Sequence, residues 1–86
     1  MIKKVINLGD TALYCDFGEI VNKETNSKVI NLFRYLTDEI QKKKIEGIIN
    51  LTPSYNKLII SYDLKITNYQ KLKTFLDNIN YKDINF

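Results

Sequence analysis

Cys15, the aspartates Asp10, Asp16, Asp63, Asp77 and Asp83, the run Lys42-Lys43-Lys44 and the tyrosines Tyr14, Tyr55 and Tyr62 are the side chains of this 86-residue chain best placed to do chemistry. Histidine is absent. The side chain most used as a general base near neutral pH, and the commonest metal ligand, is therefore missing, which leaves Asp, Glu, Lys and Tyr for any proton transfer. A nucleophilic thiolate needs a cation or a helix N-terminus to lower its pKa. Cys15 has no such neighbour in sequence and alternates with Leu13 and Phe17, so a buried core thiol is the better reading. As the single cysteine it forms no internal disulfide and no thiolate metal cluster. The aspartates fit neither a calcium loop, a phosphate loop nor a zinc-protease helix. Asp10 and Asp63 fall at strand ends, where a short carboxylate serves a turn by accepting nearby backbone N–H groups. No metal and no cofactor site is expected.

The lysine run could meet a phosphate or an acidic partner, but it sits where a helix ends, and cations there suit the negative end of the helix dipole. Tyr14, Tyr55 and Tyr62 could form a stacking platform on a sheet for RNA bases. No segment carries the glycine and aromatic signature of RNA-binding domains, so RNA binding is the weakest function considered. Gly18 is read as a turn glycine with positive φ, not as part of a phosphate loop.

The elements that must position these groups are legible from periodicity. Residues 2–8 read as a strand with Ile2, Ile6 and Leu8 on one face and Lys3, Val5 and Asn7 on the other. After Gly9-Asp10, residues 12–17 alternate again, with Leu13, Cys15 and Phe17 on one side. From Asn22 the period changes to that of a helix, with Val29, Leu32, Phe33, Leu36 and Ile40 lining one stripe. Asn22 is the expected cap and Gly47 the expected stop. Truncating Phe33 to alanine is expected to cost roughly 3 to 5 kcal/mol. Residues 48–51 and 58–62 form two strands of a hairpin, joined by a polar connection containing Pro53, the only proline. Thr67 and Gln70 fit a capping box for a second helix with Tyr69, Leu72, Phe75, Leu76 and Ile79 at helical spacing. Residues 81–86 could begin a final strand.

The order strand, strand, helix, strand, strand, helix gives an α+β fold. Two amphipathic helices bury both stripes at once when they lie on one face of a mostly antiparallel sheet, a ferredoxin-like arrangement with an extra N-terminal strand. One domain with one small core is what 86 residues allow. At 44% apolar and 27% charged, with no apolar run near the roughly 20 residues of a membrane span, the chain is expected to be soluble. With no signal peptide in its first residues, it is placed in the cytoplasm. The net charge of +3 is almost entirely lysine, with Arg34 the one arginine, so it does not describe a phosphate-reading surface.

Gly9-Asp10-Thr11-Ala12-Leu13, then Phe17-Gly18-Glu19-Ile20 before the helix, then Gly47 with Pro53 and Tyr55, and finally Leu58 with Tyr62-Asp63, resemble the N-terminal domain of the KipI/PxpB family. That pattern runs roughly GDxALxxxFG, helix, GxxxxxPxYxSLxVxYD. Its order and spacing are reproduced over about residues 5–63, with Asn56-Lys57 in place of the usual xS before the leucine. The motif positions Gly9, Asp10, Ala12, Leu13, Phe17, Gly18, Pro53, Tyr55, Leu58, Tyr62 and Asp63 are read as structural, and no catalytic residue carries over.

Members of the family resemble the PxpB component of the bacterial ATP-dependent 5-oxoprolinase, subunit 1 of allophanate-hydrolase-like proteins, or inhibitors of a sporulation histidine kinase. They join this small domain to a larger cyclophilin-like β domain. The resemblance implies that residues 1–86 are the N-terminal domain without that second part, and that they help assemble a hydrolase without being catalytic alone. It implies as partners the other 5-oxoprolinase subunits, PxpA-like and PxpC-like. The alternative is a regulatory module that binds a histidine kinase.

Overall fold

Leu58, Ile60 and Tyr62 alternate with Lys57, Ile59 and Ser61 along the most enclosed strand of the chain, and the other elements are arranged around it. A computed structural model describes residues 2–9, 11–19, 22–80 and 84. The elements are β1 (Lys4–Asn7), β2 (Ala12–Asp16), α1 (Lys23–Gln41), β3 (Ile48–Pro53), β4 (Lys57–Tyr62) and α2 (Tyr69–Asp77). The four strands form one antiparallel sheet in the order β1-β2-β4-β3. β2 and β3 thus run parallel with β4 between them, and α1 makes the crossover, as the ferredoxin-like reading requires. β1 takes the edge beside β2. The possible final strand at 81–86 lies, apart from Ile84, outside the described residues; Ile84 itself is buried in the core.

The register explains the core. Leu13 faces Ile60 and Cys15 faces Leu58 across β2 and β4. Val29, Leu32 and Leu36 from α1 and Leu72 and Leu76 from α2 join these residues in one buried cluster. Both helices therefore cover the same side of the sheet. Tyr69 of α2 also reaches the edge strand, its hydroxyl donating to the Val5 carbonyl at 3.2 Å.

Several local expectations are corrected. Val5, not Ile6, turns inward on β1: it lies opposite Cys15 and packs on the core, while Ile6 lies opposite Tyr14. The strand has apolar residues on both faces, so its own period of two could not choose; pairing with β2 did. Ile2 does pack on the core, but from ahead of the strand. β3 runs on through Pro53, and the Ser54 N–H donates to the Lys57 carbonyl at 2.8 Å to close a shorter turn. An edge strand tolerates proline because one side of its ladder is unpaired. The same strand bulges between Ile48 and Asn50, leaving Ile49 66% exposed.

Helix α1 is capped as expected, the Thr25 N–H donating to Asn22 Oδ1 at 2.8 Å. It stops at Gln41, well short of Gly47. Lys43 takes a left-handed conformation at φ 58°, and the Lys44 and Lys43 N–H groups bond to the Glu39 and Ile40 carbonyls, each at 3.0 Å. Those two bonds make a Schellman cap with lysine where glycine is usual. Gly47 instead serves the entry to β3: at φ 89° it lies so close to Thr67 that a Cβ would sit 2.6 Å from Thr67 Cγ2. The packing of Thr67 in turn displaces the second cap. Asn68 caps α2, its Oδ1 accepting the Lys71 N–H at 2.9 Å, while Thr67 is buried.

On α1, Val29, Leu32 and Leu36 are fully enclosed, whereas Phe33 is only partly buried. Leu36→Ala should therefore cost about 2–5 kcal/mol, and Phe33→Ala less, in urea unfolding. The reverse order would mean that the stripe is rotated. Lys43→Gly should relieve the left-handed backbone and stabilise by up to about 1 kcal/mol. That corresponds to a melting temperature higher by roughly 4–8 °C in a domain of this size; a decrease would contradict the cap.

Candidate functional site

The motif positions divide between the two ends of the sheet and the core beneath it. At one end Gly9 has φ 89°, and the Tyr62 N–H donates to the Thr11 carbonyl at 2.8 Å. The adjoining Asp63 N–H donates to the Gly47 carbonyl at 2.8 Å, and its Oδ1 accepts the Lys65 N–H at 2.9 Å. Its carbonyl also accepts from Ile66 and Thr67, at 3.0 and 2.9 Å. Asp63 therefore does turn work, as read from the sequence. Asp10 lies outside the described residues.

At the other end the Asp16 carboxylate accepts the Gly18 N–H at 2.9 Å, and Gly18 has φ 119°, the positive value expected of it. Asn56 then clamps the strand end to the hairpin: its Nδ2 donates to the Gly18 carbonyl at 2.7 Å, and its own carbonyl accepts the Phe17 N–H at 2.9 Å. Asn56 falls at an unrestricted position of the family pattern, beside the Lys57 that replaces its serine, so nothing in the sequence marked it. Nothing local in its sequence shows a bond to a residue 38 positions away. Leu13 and Leu58 are fully buried and Phe17 and Tyr62 nearly so, whereas Pro53 and Tyr55 are exposed on the hairpin and Ala12 is half-buried.

The other candidate groups do not converge. Tyr14 and Tyr62 point to opposite faces of the sheet: Tyr62 is 1% exposed beneath the helices, while Tyr14 faces outward with Lys57 Nζ 5.1 Å above its ring. The stacking pair needed for RNA is not assembled. Lys42 is engaged with Asp38 at 2.8 Å, and the hydrogen bond to that carboxylate, then its charge, raises the lysine pKa. Lys73 is held likewise by Asp77 at 3.0 Å. A hollow of about 470 Å³ is lined by Lys3, Lys4, Asp16, Gly18 and Glu19, but the Asp16 carboxylate already serves Gly18. Among the described residues no three His, Cys, Asp or Glu side chains gather as metal ligands, and no helix is long and apolar enough to cross a membrane.

Cys15 is fully enclosed, and burial pushes its thiol from 9.0 up to about 12. Between those pH values the unfolded chain loses the proton and the folded chain keeps it, so stability falls as pH rises through this window, by at most about 1.4 kcal/mol per pH unit. Cys15→Ala should flatten the decline measured by urea unfolding from pH 9 to 10.5. Parallel slopes for parent and variant would place the thiol in contact with water.

A solved structure similar to this chain is the conserved uncharacterized protein PH0987 from Pyrococcus horikoshii, with a TM-score of 0.71 and 26% identity over 92% of this chain. The present chain spans 35% of that protein's length. A search of curated proteins found no match. The family model described as carboxyltransferase domain, subdomain C and D, matches residues 3–84, nearly the whole chain. It is the domain family of the KipI, PxpB and allophanate hydrolase subunit 1 proteins, and this chain belongs to it.

Proposed function

We propose that this chain is a positioning domain of a 5-oxoprolinase component of the PxpB type, which holds partner subunits together while other domains carry out the ATP-driven opening of the lactam. The observation that carries this reading is the use made of the motif residues. Leu13, Phe17, Leu58 and Tyr62 are core; Gly9, Gly18 and Asp63 shape turns; and the Asp16 carboxylate is occupied by the Gly18 N–H. With most of the described motif side chains committed to architecture, and Pro53 and Tyr55 exposed on the hairpin, the domain contributes chiefly its shape. The matched length supports a role inside a larger assembly, since PH0987 carries nearly two thirds of its chain beyond the region that corresponds to this one.

The test is association with the PxpA-like and PxpC-like subunits encoded in the same genome, measured by size-exclusion chromatography of the mixed proteins. Co-elution with at least one of them is expected. In a parallel assay, autophosphorylation of a sensor histidine kinase should proceed at an unchanged rate when the chain is added. A slowed kinase together with no co-elution would replace the assembly role with the inhibitory one.

A further inference from the structure

Both helices cover one face of the sheet, and no described element covers the other. The ladder registers order the residues of that open face. The central row runs Ile6, Tyr14, Ile59, Thr52 across β1, β2, β4 and β3. On one side of it lies the row Lys4, Asp16, Lys57, and on the other Ala12, Ser61, Asn50, with Leu8 beside Ala12. Leu8 is 45% exposed, and Ile6, Tyr14 and Ile59 are half-buried.

Charge on this face is one-sided. Lys4 and Lys57 belong to none of the ion pairs among the described residues and flank Asp16, whose Oδ1 accepts the Gly18 N–H, so this end carries one more cation than anion. Lys57 holds its ammonium over Tyr14, 5.1 Å from the ring centroid, at the border of the apolar row. The opposite end, Ala12, Ser61 and Asn50, is uncharged. An occupant that complements this pattern is apolar along its middle and acidic at one end.

Size selects among occupants. Four strands about 4.8 Å apart and five residues rising about 3.4 Å each give a face of on the order of 250–300 Å². A stable interface between two protein surfaces takes about 800 Å² from each partner, so this face alone does not hold two copies of the chain together. A single helix, about 10–12 Å wide with its side chains, fits within that face. We infer that the open face seats a single amphipathic segment of a partner subunit, its apolar stripe along Ile6, Tyr14 and Ile59 and its carboxylates against Lys4 and Lys57. This rests on the assembly role proposed above and adds where the partner is met and in which orientation.

Binding of the chain to the purified PxpA-like and PxpC-like subunits by biolayer interferometry tests it. Ile59→Lys places a charge in the apolar row, and the double variant Lys4→Glu/Lys57→Glu reverses the cationic end; the melting temperature of each reports whether it is folded. Both should bind at least tenfold more weakly, and the double variant should also lose the weakening of binding that added salt produces in the parent. Arg34→Glu, at an exposed position of α1, should bind within twofold of the parent. If Ile59→Lys does not fold, the double variant alone decides. Parent-like binding by the folded variants overturns the docking face and leaves the assembly role standing, whereas no binding by the parent removes both. A parent dimer dissociated by either variant, or RNA retention lost with Lys57→Glu, would show that the face serves a different occupant.

Discussion

The pairing of β2 with β4 is the constraint on which the rest of the molecule depends. It sets Leu13 opposite Ile60 and Cys15 opposite Leu58, so that two strands far apart in sequence present one continuous apolar surface. A slip of one residue would turn every one of those side chains to the outside. Once the pair is fixed, β1 and β3 add at its two sides. The stripes of both helices then have a single face on which to bury, each enclosed leucine contributing about 1.5–3 kcal/mol.

The two ends of this pair are closed by backbone and amide hydrogen bonds rather than by ion pairs. At one end the chain turns through Gly9 and is tied at Thr11 to Tyr62, with Asp63 linking on to Gly47. At the other, Asn56 spans from the hairpin to Phe17 and Gly18. These bonds fall at or beside the residues on which the resemblance in the sequence rests, and they hold the ends of a short-stranded sheet together. Among the described residues each ion pair joins side chains four residues apart, Glu24–Lys28 and Asp38–Lys42 along α1 and its cap and Lys73–Asp77 in α2, on largely exposed surface, where each contributes little.

This distribution bears on function. Most of the described motif residues close turns or fill the core, with Pro53 and Tyr55 exposed on the hairpin, and the sheet face opposite the helices is covered by no described element. The topology creates that face because both helices lie on one side. On the assembly role proposed above, that uncovered face is the one left for a partner.

The type and order of every described element, and the core-facing sides of β2 and β4, could be read from the sequence, because the periods of two and 3.6 are written in side chains next to one another. The turn roles of Asp63 and Gly18 and the Asn22 cap were legible for the same reason: each acts within four residues. Only the tertiary structure decided which face of β1 turns inward, since Val5 and Ile6 are equally apolar and the choice belongs to β2. It also decided that Thr67 packs against Gly47 and leaves the cap to Asn68, that Lys43 ends α1 before Gly47 is reached, and that Asn56 bridges to Gly18. With the exception of the Lys43 cap, these choices turn on partners distant in the chain, and a local pattern carries no information about which distant surface will be there to meet it.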